Sequence, residues 1–301
     1  MSIIGAEGAN AFTSNDMTVY TEDIPSNQVD SWARIQADRF MNPVIRGFHT
    51  ELEAVYEEKN MSLTEDDSKA MEAIDSVLFV NHPYGQQTTI GTQEHLKNPS
   101  IVNIENYRAN FYVPNNMAIC ASGDFDPKEF VRIIEKYFGE WEPNPQIKGL
   151  EYGPEAPVAG PVEKNVYGYD AEFVMVGWRT PGDKDFRRSE VGDLVGSVLY
   201  NGKAGLADID LVQAQKVGGF YCFNYTRPDY GEFLLIGYPR QGQTLPQVRD
   251  LMLEEVAKLR SGDFDDSLVQ STINNMKFNE MRKLERNSDR AMAFVNSFIS
   301  C

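Results

Sequence analysis

"GGFYCFNYTRPDYGEFLLIGYPR" occupies residues 218–240. Two aromatic and aliphatic runs flank Arg227-Pro228-Asp229, so the stretch predicts a pair of strands around a turn. "EFLLIGY" and its upstream neighbour "EFVMVGW" are strand-sized, and no stretch of the chain reaches the apolar length of a membrane-spanning helix.

Working outward, "VEKNVYGYDAEFVMVGWRT" (162–180) predicts two further strands, and "RRSEVGDLVGSVLY" (187–200) a helix. "NGKAG" (201–205) is a glycine-containing loop. It lacks the glycine spacing and the following Ser or Thr of a phosphate cradle, and it reads as a turn between helices. "LADIDLVQAQKV" (206–217), residues 245–262 and residues 265–300 read as helices, with Cys301 ending the chain inside a helical pattern. Strands cluster and helices come in runs, which predicts an α+β fold and excludes a regular βαβ alternation.

The first half has the same style. Residues 10–24 read as two strand pieces about Ser14, Asn15 and Asp16. A helix follows with Ser26 or Asn27 as its candidate N-cap and Pro43 as its stop. Further helices are expected over "GFHTELEAVYEEKNM" (47–61), residues 66–78 and residues 103–112, with a turn at "HPYG" (82–85). "NMAICASGDF" (116–125) reads as a buried strand. "DPKEFVRIIEKYFGEW" (126–141) is a helix with Asp126 as N-cap, Pro127 at its first position and Gly139 as its stop. Residues 143–161 carry five prolines and no apolar periodicity, so they read as a linker between domains spanning 1–142 and 162–301.

Composition narrows the function. The formal net charge of −17 over 301 residues excludes a nucleic-acid partner, because phosphate binding needs a basic surface. That charge either solubilises the chain or attracts basic peptides. Three cysteines, far apart and without a CxxC pair, exclude a disulfide scaffold and a thiolate zinc site. Cys120 and Cys222 sit in apolar strand-like runs and read as inert thiols.

One helix carries chemistry. From Glu51, the positions sharing a helical face are Ala54, Val55 and Glu58. Two carboxylates then lie on the stripe of small and apolar residues, where a carboxylate is costly unless paired, hydrogen-bonded or metal-bound. The alternative is an ordinary solvated helix face. The three histidines, His49, His82 and His95, have no i, i+4 partner of their own kind, and the chain contains neither HExxH nor HxxEH. A site from His49, Glu53 and Glu57 would need further ligands.

Six stretches occur in one order: "NAFTSNDMTVY", "ADRFMNP", "ELEAVYEEKNM", "HPYGQQTTIGT", "YRANFYVPNNMAICASGDFDP" and "IEKYFG". Together they resemble the pitrilysin/insulinase family of zinc metallopeptidases, which includes the mitochondrial processing peptidase. The resemblance implies two tandem domains of LuxS/MPP-like metallohydrolase type, each a mainly antiparallel sheet packed on helices, and both incomplete. In that family, zinc is held by the histidines of HxxEH and a distant glutamate in E-x-x-A-V-x-x-E. The match implies that Glu58 is the zinc ligand and that Glu51 holds or polarises the ligand set. It implies that Asn10, Ala11, Phe12 and Thr13 form an edge strand to which a peptide substrate adds.

HxxEH would fall before Met1. The expectation is therefore a fragment of a zinc metalloendopeptidase: zinc in the full-length protein, none in this chain, and no activity by itself. The alternative is a non-catalytic peptide-binding or assembly subunit. The resemblance further implies a peptide substrate, a second family half-molecule or subunit as partner, and a bacterial periplasmic or envelope location.

Overall fold

The structure, a computed structural model, describes residues 1–300; Cys301 lies outside the described residues. The chain folds as two compact units. Unit 1 comprises residues 1–64, 81–155 and 287–298, and unit 2 comprises residues 65–80 and 156–286 with the last few residues.

In unit 1, β1 (Glu7–Thr13) and β2 (Thr18–Asp23) form an antiparallel hairpin, closed by a Ser14 N–H to Met17 carbonyl bond of 2.8 Å. A 3-10 turn over Ser26–Gln28 leads into α1 (Val29–Met41). Ser26 and Asn27 are therefore in that turn and not at the helix N-cap, which is Gln28 without a capping side chain. α2 (Phe48–Ser62) follows. After α3 (Asp66–Leu78), which belongs to unit 2, come α4 (Pro83–Gln86), α5 (Gln93–Lys97), α6 (Ile101–Phe111) and α7 (Pro127–Phe138). The expected "HPYG" turn is the single turn of α4, with His82 Nδ1 accepting from Tyr84 N–H. α7 starts as its local signals require: Asp126 Oδ1 accepts from the N–H groups of Lys128 and Glu129, and Pro127 needs no partner.

Unit 2 holds β3 (Val174–Pro181), α8 (Phe186–Leu199), β4 (Gly219–Thr226), β5 (Tyr230–Tyr238), α9 (Leu245–Ser261) and α10 (Asp266–Lys283). α11 (Asn287–Ser300) returns to unit 1 for most of its length. The strand order is β3-β5-β4, all antiparallel. The buried core gathers Leu199, Leu211, Phe220, Leu235, Val248 and Met252 between one sheet face and α8 and α9. α3 packs on β3, and Ile74 reaches the space above Gly177.

Three further expectations are corrected. Residues 116–125 form no strand, and Ile119 is exposed. Residues 162–173 form none either, so residues 162–180 supply one strand, β3, instead of two. The reason is common to both: extended backbone becomes a strand only against a partner ladder, and none of the strands of the described residues pairs with them. Of residues 206–217 only 206–213 are helical, with Asp208–Gln213 a π-helix; a turn follows, with Gln215 in the left-handed region at φ 53°. The "NGKAG" loop uses its amides internally. Asp208 Oδ2 accepts from Asn201 and Gly205 N–H, and Asn201 Oδ1 accepts from Lys203 and Ala204 N–H.

β5 lies close under α9 at Gly237. A Cβ there would meet Met252 Sδ and Val248 Cγ1 at 2.5 Å each. Gly237→Ala is expected to destabilise the protein by about 1–3 kcal/mol through overpacking. Urea unfolding followed by far-UV circular dichroism checks this.

Candidate functional site

The β1–β2 hairpin is anchored through β2 and its turn. Val19 is buried. The Tyr20 ring meets Phe40 of α1 edge-on at 5.3 Å and carries the Arg39 guanidinium at 4.4 Å. Glu22 Oε2 accepts from Trp32 Nε1–H at 2.7 Å and from Gln36 Nε2–H at 2.6 Å, both on α1. At the turn, the hydroxyl of buried Tyr84 donates to the Asp16 carboxylate at 3.0 Å.

β1 itself is exposed at every residue. Its register pairs Thr13 with Thr18, Phe12 with Val19, Ala11 with Tyr20 and Asn10 with Thr21. The Ser14–Met17 bond marks that pair as hydrogen-bonded, so bonding alternates from there. Asn10 and Phe12 bond inward to β2; Ala11 and Thr13 turn their N–H and C=O groups to the outer edge. Asn10 Oδ1 accepts the outward Ala11 N–H at 2.9 Å, which screens the edge with a movable side chain. Of the four residues named from the sequence, all lie on β1, and Ala11 and Thr13 present their backbone groups to its outer edge.

α2 carries Glu51 and Glu58, and both are exposed. The least exposed stripe runs through half-buried Leu52, Val55 and Tyr56 and buried Lys59, one position on from the stripe expected through Glu51, Ala54, Val55 and Glu58. Leu52 and Tyr56 are bulkier than Ala54, and burying them rotates both glutamates into solvent. α2 packs against α5, where Gln93 donates to Asn60 Oδ1 at 2.6 Å. Among the described residues neither the Glu51 nor the Glu58 carboxylate has a hydrogen bond or ion pair.

Zinc in a catalytic site takes three protein donors around one point. Glu51 and Glu58 lie about 10 Å apart along the helix axis. His49 and His95 are exposed, while His82 is buried among Tyr84 and Tyr152. Among the described residues no three His, Cys, Asp or Glu side chains converge to hold a metal ion. The residues present do not fit a zinc ion, and His49, Glu53 and Glu57 do not supply one either.

Elsewhere, a cavity of about 380 Å³ lies between α8, α9 and the sheet, walled by Trp178, Phe233, Val195 and Val256. Its lining contains no histidine, cysteine or carboxylate, so it offers nothing to activate water. Sequence reasoning missed a charged cluster in unit 2, formed by buried Arg227 and Glu232 with half-buried Asp75. The signal was present: a glutamate stands inside the apolar run "GEFLLIGY".

Residues 102–276 match the family described as Peptidase M16 inactive domain. The chain is 26% identical over 144 residues to the uncharacterized zinc protease YmxG of Bacillus subtilis, covering 47% of this chain and 35% of that protein. It is 27% identical over 148 residues to a protein of Schizosaccharomyces pombe named "Probable mitochondrial-processing peptidase subunit beta", covering 47% and 31%. The match therefore spans about a third of the length of these relatives. In fold, the chain is similar to a protease from Helicobacter pylori, with TM-score 0.87 and 20% identity over 99% of this chain and 73% of that one.

Because Glu51 and Glu58 are solvated on α2, Glu51→Gln and Glu58→Gln are each expected to change stability by less than about 0.5 kcal/mol. The isolated chain is expected to retain less than stoichiometric zinc after dialysis, with or without Glu58→Gln. Urea melts and elemental analysis check both statements.

Proposed function

The chain belongs to the M16 peptidase family through the domain described as its inactive domain, and from that premise we propose that it binds extended peptides along the outer edge of β1. It is the peptide-binding body of a zinc-dependent endopeptidase half. The histidine donors and the general base of hydrolysis are not among its residues, so by itself it does not cut. One observation carries this reading: Ala11 and Thr13 point their backbone groups outward on a strand that, among the described residues, is paired on one side only. Such an edge adds a peptide as a further strand by main-chain bonds, with little demand on sequence. The chain's net charge of −17 favours basic peptides by long-range attraction.

A second reading has its own support. The matched domain is the one described as inactive, and the described residues hold no metal-binding cluster. On that reading the chain is a non-catalytic subunit that presents peptide to a partner.

Ala11→Pro separates edge binding from folding. Ala11 N–H is outward, so proline removes no bond of the β1–β2 ladder and blocks an incoming strand. Fluorescence anisotropy with a labelled basic peptide is expected to show affinity falling about tenfold or more in Ala11→Pro, with the circular dichroism spectrum unchanged. Equal binding by the variant rules out the β1 edge.

Mixing the chain with a polypeptide carrying HxxEH distinguishes the two readings. Restored hydrolysis that is lost on Glu58→Gln supports the peptidase half. Hydrolysis indifferent to Glu58→Gln supports the non-catalytic subunit.

A further inference from the structure

Glu232 sits on β5, the central strand, and is fully buried. Neither of its carboxylate oxygens has a hydrogen-bond donor among the described residues. The nearest cation is the Arg227 guanidinium, whose Nη2 lies 3.5 Å from Glu232 Oε1 and 3.2 Å from Asp75 Oδ1. Arg227 is itself buried against the Phe79 ring at 4.7 Å. Two acids therefore crowd one guanidinium inside unit 2.

The other neighbours are committed elsewhere. Arg179 stands opposite Glu232 on β3, but its guanidinium donates to the Leu78 and Ala156 carbonyls at 2.6 Å each. Tyr225 stands opposite on β4, its ring 5.3 Å from the Arg227 guanidinium. Tyr230 on β5 packs its ring beneath Arg179 at 5.7 Å. Two ionised carboxylates in this space would leave one negative charge uncompensated and two acceptors face to face, an arrangement that the full burial of Glu232 opposes. One proton resolves both problems: it cancels the excess charge and turns one acid into the missing donor.

We propose that Glu232 holds a proton that it donates to Asp75, and that this proton latches α3 onto the sheet of unit 2. α3 supplies Asp75, β5 supplies Glu232, and Arg227 bridges them. Buried Leu78 and Phe79, which end the helix, lie under the two arginines. The inference is independent of the peptide edge on β1.

Burial first, then the Asp75 charge and the hydrogen bond that protonated Glu232 donates to Asp75, push the Glu232 carboxyl up to about 8, against the opposing pull of Arg227. The docked state thus holds a proton that an undocked α3 would release above the ordinary glutamate value of 4.5. The sign follows. Docking is strongest below that ordinary value, weakens as pH rises from 4.5 towards about 8, and changes no further above it. Each pH unit within the window weakens docking by up to about tenfold.

Hydrogen exchange of residues 66–79, corrected for the intrinsic pH dependence, tests this on the full chain. Protection is expected to fall by at least about tenfold across the window and then level off. In Glu232→Gln, whose amide keeps a donor towards Asp75, protection is expected to stay constant. Pulse infrared spectroscopy of the wild-type chain is expected to show a deuterium-sensitive protonated-carboxyl stretch at neutral pH, a readout that does not require the variant to fold. Protection in the wild type that is flat across the window overturns the proposal. So does the same slope in Glu232→Gln, or absence of the protonated-carboxyl band.

Discussion

β5 is bonded along both edges, to β3 from Val174 to Pro181 and to β4 from Gly219 to Thr226. Backbone N–H and C=O groups withdrawn from water must find partners, and β5 is the strand of unit 2 with partners on both sides. Its side chains can therefore be buried on both faces, and Leu234 and Leu235 are fully so. The core around Phe220, Val248 and Met252 exists because that ladder supports it. The same constraint leaves β1 with an unpaired outer edge, since among the described residues its ladder runs to β2 alone. One rule thus gives unit 2 its core and unit 1 its candidate binding edge.

Burial separates the acids of this chain by role. Glu51 and Glu58 face solvent on α2. Glu232 stands in the sheet interior, where ionisation is opposed by burial and by Asp75, and assisted by Arg227. Asp75 and Glu232 are distant in sequence and meet because α3 packs over β3. Membership of the M16 family explains the fold of unit 2 and the names of the relatives. The acid pair is a consequence of the side chains that meet at the end of α3.

Where local chemistry suffices, the sequence was a good guide. Asp126 and Pro127 start α7 as their types require, and residues 66–78 form α3 with the expected ends. The hairpin of β4 and β5 was legible from two apolar runs and a turn. The edge residues Asn10 to Thr13 were legible only through resemblance; their outward backbone groups came from register. Residues 116–125 and 162–173 looked like strands because they have strand composition, but composition carries no information about a partner.

By itself, then, the sequence determined the α+β class, the positions of most helices, the two hairpins and the family. Each of these depends on residues within a few turns of one another, or on several short motifs in order. The tertiary structure alone decided which side of α2 is buried, which extended stretches become strands, and which carboxylates meet. A helix face, a ladder and a meeting of two acids each need a second surface, and that surface comes from residues far away along the chain.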